Sequence, residues 1–340
     1  MKRAKVRSAK NAALTASVWG AVLLLRCGGD ATTETDEAGT DAARDGVVSD
    51  AEEDAGAIDG NTSEDAVAVV DGDVAAAITF VGAGDIAECG GIGASRTAKL
   101  LDAIPGTVFT LGDNAYGVGS DKDFTTCYDP FWGRHKARTK PVPGNHDYDT
   151  KNASGYYKYF GAAAGDPTKG YYSYDVGTWH VIALNSNCGE IDGCDAQSPQ
   201  VAWLKADLAA NAAKPCTAAL WHHPRYTVGV HSNGTGMQPI WETLYANNVD
   251  LVLTGHDHNY QRWAPLDAAG KVDLVKGMRS FVIGTGGKDF YGTQADVRVE
   301  AREHDTWGVV KFTLNPSGYD WEFVAEPGKT FEDKGTGNCH

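Results

Sequence analysis

The chain has 340 residues, 42% apolar and 22% charged, with a formal net charge of −15. That composition can furnish a sizeable core, and it excludes a disulfide miniprotein, a collagen-like chain and a wholly disordered protein. The acidity is local: residues 28–77 carry 15 Asp/Glu against the single Arg44, whereas residues 78–340 carry 30 acids and 23 bases. Charge therefore says little about a substrate, and no basic stripe points to nucleic acid as the main partner.

In chain order, Lys2, Arg3, Lys5, Arg7 and Lys10 precede the apolar run Ala12–Leu25. Fourteen residues are too few to cross a bilayer, which takes about 20, but they suit a signal-peptide core. Residues 1–27 are therefore expected to direct export. Three endings fit: an ordinary cleaved signal, an uncleaved anchor, or a lipoprotein signal with Cys27 as the lipidated residue, from which Arg26 departs because a small residue is wanted there. With an uncleaved leader set aside, the only membrane contact expected is an anchor at Cys27, so the protein is expected outside the cytoplasm, secreted or held at a bacterial cell envelope. Residues 28–77 hold mostly Asp, Glu, Ala, Gly and Thr and too few apolar groups to offset their ordering entropy. They read as an acidic, disordered tether.

From residue 78 one phrase recurs: a short apolar or β-branched run, then Gly or Pro, then Asp, Asn or His. Ile78–Val81 leads to Asp85, Thr107–Leu111 to Asp113 and Tyr116, Pro141–Pro143 to Asn145, His146 and Asp147, Cys216–Leu220 to His222 and His223, and Val249–Leu253 to His256 and His258. Helical stretches are expected at Ser95–Ile104, Ser198–Ala213 and Gln238–Asn247. Open α/β sheets place their sites beyond the carboxyl ends of strands, so five such ends would gather Asp, Asn, Tyr and His in one crevice. A dinucleotide fingerprint at Val81–Ala87 fails, because Glu88–Gly93 intervenes before any helix whose N-terminus could face a pyrophosphate. Of seven cysteines, Cys188 and Cys194 bracket a turn suited to a local bridge. Cys89, Cys127, Cys216 and Cys339 allow three pairings.

The set Gly84-Asp85, Gly112-Asp113-x-x-Tyr116, Gly144-Asn145-His146-Asp147, His222-x-Pro224 and Gly255-His256-x-His258 resembles the five blocks of the calcineurin-like metallophosphoesterases. Tyr116 resembles the purple acid phosphatase branch, in its small single-domain form. The resemblance implies an α/β, four-layer α/β/β/α sandwich with two central mixed sheets, formed by residues 78–326 and followed by a C-terminal tail, residues 327–340. It implies two metal ions: Asp85, Asp113, Tyr116 and His258 around one, and Asp113, Asn145, His222 and His256 around the other. Phenolate and carboxylates suit Fe(3+), and imidazoles with an amide oxygen suit Zn(2+), Mn(2+) or Fe(2+). The implied reaction is hydrolysis of phosphate monoesters by a metal-activated water, on a phosphorylated small-molecule or surface substrate. A phosphodiesterase and a non-catalytic surface lipoprotein are the alternatives. His146 and His231 are the candidates for contact with substrate or leaving group. Asp147 either orients His146 or serves as a cap or turn residue, His223 is expected at the rim, and Asn114, Arg225 and Tyr226 are candidates to line the mouth.

Overall fold

The computed structural model describes residues 76–340. The expected leader, residues 1–27 with Cys27, and the acidic segment except Ala76 and Ala77 lie outside the described residues.

Thirteen strands build two mixed sheets. The first sheet centres on β1 (Ile78–Ala83), which pairs in parallel with β2 (Thr107–Thr110), itself parallel to the short β3 (Thr139–Lys140). On the other side of β1, β11 (Gly308–Asn315), β12 (Gly318–Ala325) and β13 (Lys334–Asn338) continue antiparallel. In the second sheet β5 (Trp179–Ala183), β6 (Cys216–Leu220), β7 (Leu251–Thr254) and β9 (Arg279–Ile283) run parallel. Antiparallel edges flank them: β4 (Tyr172–Val176) beside β5, and β8 (Tyr260–Trp263) then β10 (Val299–Glu303) beside β9.

Side-chain alternation, two residues per repeat, sorts the second sheet into two faces. Val181, Ala218, Leu220, Leu251 and Leu253 turn toward the first sheet and share one core with Phe80, Phe109 and Phe312. Phe281 meets Phe312 edge-on, with ring centroids 5.4 Å apart. Ile182, Ala219 and Val252 turn the other way, into a second core closed by Leu204 and Leu208 of helix Pro199–Ala210 and Ile240 and Trp241 of helix Gln238–Ala246. Val81 and Val108 likewise face away from the inter-sheet core, toward Ala94, Ala98 and Leu101 of helix Gly93–Ala103. The layers are helix, sheet, sheet, helix, the expected sandwich.

Local chemistry explains the element ends. Helix Pro199–Ala210 starts where the Ser198 hydroxyl accepts the Val201 amide at 3.3 Å and Pro199 needs no donor partner. Such a cap contributes about 1 kcal/mol. Pro141–Pro143 is not a strand. Proline cannot donate to a ladder, so regular pairing ends at Lys140, the Val142 amide alone still reaches the Thr110 carbonyl at 3.3 Å, and the segment carries the chain out to Asn145.

Residues 327–340 are no tail either. β13 extends the first sheet, with Gly335 opposite Trp321 and Gly337 opposite Tyr319. A Cβ at either glycine would strike the facing ring, so the aromatic side chains of β12 lie over glycine backbone. Lys-Gly-Thr-Gly-Asn has poor strand propensity alone; the rings of its neighbour hold it. Disulfides join Cys89 to Cys127, Cys188 to Cys194 and Cys216 to Cys339. The Cys188–Cys194 bridge is as expected, and the other four resolve to one of three open pairings.

Candidate metal centre

The carboxyl ends of β1, β2, β6 and β7, with the segment after β3, converge between the sheets and deliver Asp85, Asp113, Tyr116, Asn145, His222, His256 and His258 to one cleft. The backbone turns abruptly there. Asp85, Asp113 and His256 sit at φ of 59°, 49° and 71°, a left-handed conformation that non-glycine residues adopt rarely and that gathers at functional sites. Gly112 stands at φ 84°, and a Cβ on it would lie 2.5 Å from His222 Nδ1. A Cβ on Gly144 would collide with the Asp113 carboxylate. Close approach requires glycine at both positions, and the left-handed turn requires it at Gly112 as well.

Two donor clusters share Asp113. In the first, the Tyr116 hydroxyl is 3.0 Å from Asp85 Oδ1, 3.1 Å from Asp113 Oδ2 and 3.1 Å from His258 Nε2. In the second, His222 Nε2 is 3.1 Å from Asn145 Oδ1, 3.4 Å from Asp113 Oδ1 and 3.2 Å from His256 Nδ1. Backbone groups fix two of the imidazoles: Nδ1 of His222 donates to the Leu111 carbonyl at 2.7 Å, and Nδ1 of His258 to the Asp289 carbonyl at 2.7 Å. Each ring therefore turns Nε2 inward, the arrangement that orients metal-ligating histidines. His256 instead offers Nδ1, and its amide donates to Asp85 Oδ2 at 2.8 Å.

The electrostatics point the same way. Burial, with the charge of Asp113 nearby, pushes the Asp85 carboxyl up to about 8. Burial works against ionising Asp113 too, but His222 and His146 overcome it and hold that carboxylate well below the usual range. Burial opposes charge on His222, yet Asp113 raises it to about 9. Burial and then the His222 charge drive His256 down, and burial lowers His258 to about 4. Burial and both carboxylates hold the Tyr116 phenol well above its ordinary value.

The residues fit a pair of cations. One phenolic proton cannot serve two carboxylates and an imidazole within 3.1 Å, and unserved buried lone pairs are costly. A carboxylate shared between two clusters matches the bridging role that two-metal sites need.

His231 comes from the loop after β6. Its ring lies 4.1 Å from that of His256, and its Nδ1 is 2.9 Å from Oδ1 of the fully buried Asp257. His146 packs against Tyr116 with ring centroids 4.6 Å apart, and its Nε2 is 4.0 Å from Asp113 Oδ2. Of the two roles open to Asp147, orienting His146 and capping the turn, the structure shows the cap: Nδ1 of His146 meets the Gly117 carbonyl at 3.0 Å and Asp149 at 3.2 Å instead. The Asp147 carboxylate turns inward and accepts from the Gly144 amide and the Asn114 side chain, each at 2.9 Å. Burial and Asp113 raise its carboxyl to about 6. It braces the Gly144 loop under Asn145.

Asn114 is fully buried on Asp147 and does not line a mouth. Arg225 bonds Gln238 and lies over the Tyr226 ring, which packs on Trp241, so neither reaches the cleft rim. His223 is close: its ring centroid is 4.4 Å from that of His256, Ser186 Oγ meets its Nδ1 at 2.8 Å, and burial, then His222, lowers it to about 3.

Sequence reasoning passed over Asp257 and Tyr291. Tyr291 stacks on His258 at 4.0 Å. Asp257 sits inside the Gly-His-x-His block, where alternation alone hints that it faces away from the metals; Tyr291 carries no local signal.

Residues 78–260 match the family described as Calcineurin-like phosphoesterase. Purple acid phosphatase 15 of Arabidopsis thaliana is 26% identical over 221 residues, which cover 53% of this chain and 41% of the relative. Purple acid phosphatase 18 of the same plant is 36% identical over 122 residues, 34% of this chain and 26% of the relative. This chain thus spans less than half the length of these relatives. Among solved structures, purple acid phosphatase PPD1 from yellow lupin seeds superposes with a TM-score of 0.65 at 19% identity, over 77% of this chain and 54% of that one. GAP50, described as the anchor in the inner membrane complex of Plasmodium, gives 0.62 at 16% identity, over 78% and 90%. Both likenesses concern the fold.

Proposed function

The chain belongs to the calcineurin-like phosphoesterase family, and from that premise we propose that it is an exported phosphatase that hydrolyses phosphate monoesters at a dinuclear metal centre. The observation that carries the reading is the Tyr116 hydroxyl, set among Asp85, Asp113 and His258 at 3.0–3.1 Å. Asp85, Asp113, Tyr116 and His258 would hold one ion, with hard oxygen donors suited to Fe(3+). Asp113, Asn145, His222 and His256 would hold the other, suited to Zn(2+), Mn(2+) or Fe(2+). When bound, the pair supplies an acidified water for attack on phosphorus and positive charge against the phosphoryl oxygens.

The chain's own groups do the rest. His231, with Nδ1 tied to Asp257 at 2.9 Å, is placed to present Nε2 to the leaving oxygen as its general acid. His146, above Asp113 and Tyr116, is placed to donate to a phosphoryl oxygen. Asp147 acts indirectly, by holding the loop that presents Asn145. Three disulfides among the described residues support an oxidising compartment, and Cys27→Ser would release the protein from membranes if a lipid anchors it there. The test is purified, metal-loaded protein assayed on an aryl phosphate and an aryl phosphodiester. The expected result is faster monoester hydrolysis, abolished by chelation. Preference for the diester would move the reading to a phosphodiesterase, and inactivity on both, with metals bound, would reject an enzyme.

A further inference from the structure

On the His231 and His256 side of the centre lies a cavity of about 360 Å³. Ser232, Thr235, Gly236 and Met237 form its far side. The leaving group of a monoester held at the metals, with its bridging oxygen toward His231, would extend into this space. No Lys or Arg lines it. Of the basic side chains nearby, Arg225 bonds Gln238 at 2.5 Å and covers the Tyr226 ring, and Lys288, 5.4 Å from the Tyr116 ring centroid, bonds Glu88 at 2.8 Å and Asp289 at 2.5 Å; neither lines the cavity.

We propose that this cavity selects an uncharged, hydroxyl-bearing leaving group, a polyol or a single sugar ring, and disfavours alcohols that carry further phosphates. The inference rests on the phosphatase reading of the same site. Ser232 and Thr235 offer hydroxyls and Met237 an apolar floor, which suit a sugar's edges and faces. A second phosphate in the cavity would bring negative charge where, apart from His231, whose proton is directed to the leaving oxygen, no lining side chain supplies a compensating cation. Such unpaired charge is how a site rejects the wrong partner.

The test is kcat/KM of the metal-loaded full chain for glycerol 2-phosphate and glucose 6-phosphate against ATP and inositol hexakisphosphate, with an aryl phosphate as reference. The expected result is a preference of roughly tenfold or more for the singly phosphorylated pair. Gly236→Arg adds a cation where a Cβ meets only the Cys188 sulfur, at 3.9 Å. It should raise the polyphosphate-to-polyol ratio by about threefold or more, and Thr235→Lys should do so independently. Equal or faster turnover of the polyphosphates, with the aryl phosphate still hydrolysed, would overturn the inference and spare the phosphatase reading. An unchanged ratio in both variants would overturn it too. Failure on every substrate, the aryl phosphate included, would remove the phosphatase reading and this inference with it.

Discussion

Asp257 stands between two histidines that face the metal centre, yet its carboxylate turns away and takes His231 instead, at 2.9 Å from the ring and 3.2 Å from the amide. Thr227 also donates to it. A carboxylate on Nδ1 fixes which ring nitrogen faces the cleft and supports the imidazolium, as in other positioned histidines. Asp257→Asn should lower kcat by about 10- to 100-fold, with KM within about twofold. The double variant Asp257→Asn/His231→Ala should be no slower than His231→Ala alone, since coupled residues are not additive. Additive losses would make Asp257 a structural residue. Tyr116 makes a different prediction, because phenolate on Fe(3+) absorbs visible light and phenylalanine cannot replace it. Iron-loaded protein should be violet to pink and Tyr116→Phe colourless; an active, iron-free, colourless wild type would remove Tyr116 from the ligand set. That these residues gather in one cleft was legible in the sequence because most of them follow a strand, whereas their hydrogen-bond partners were not. That Asp147 serves Asn114 and Gly144 rather than His146 depends on which way one buried carboxylate turns.

The elements that deliver ligands were largely readable, and those that brace them less so. β1, β2, β6 and β7 are largely buried runs of apolar and β-branched residues, so pattern alone marks them. β13 is glycine-rich and half polar, and only the rings of Tyr319 and Trp321 make it a strand, so sequence reads a tail. Cys339 just beyond it bonds Cys216, the first residue of β6, and so ties the edge of the first sheet to the strand that carries His222. With the partners 123 positions apart in sequence, Cys339→Ser should cost about 2–4 kcal/mol of unfolding free energy, read from urea or guanidinium transitions of wild type and variant. A change below about 0.5 kcal/mol, within the range of ordinary surface substitutions, would mean that β13 is held by its ladder and aromatic contacts alone.

At the scale of the molecule, the two sheets meet through Phe80, Phe109, Phe281 and Phe312, and the clefts at their strand ends become one site because both parallel sets point the same way. The layer order followed from the resemblance of the motif blocks; hydrophobic pattern alone would have allowed a single doubly wound sheet. Every residue proposed for the centre lies between Asp85 and His258, and the first strand begins at Ile78. Removing residues 1–75 should therefore leave a folded domain with undiminished kcat/KM, and insolubility or inactivity of that form, with the mature protein active, would give the acidic segment a role in the fold. The central claim is that Asp113 joins two donor clusters into one dinuclear centre. It is tested most directly by metal analysis of purified wild type, Asp113→Ala and Asp85→Ala under the same loading. The account expects about two ions per chain in wild type, at least one retained in Asp85→Ala, and well under one in Asp113→Ala. Two ions per chain persisting in Asp113→Ala would contradict it.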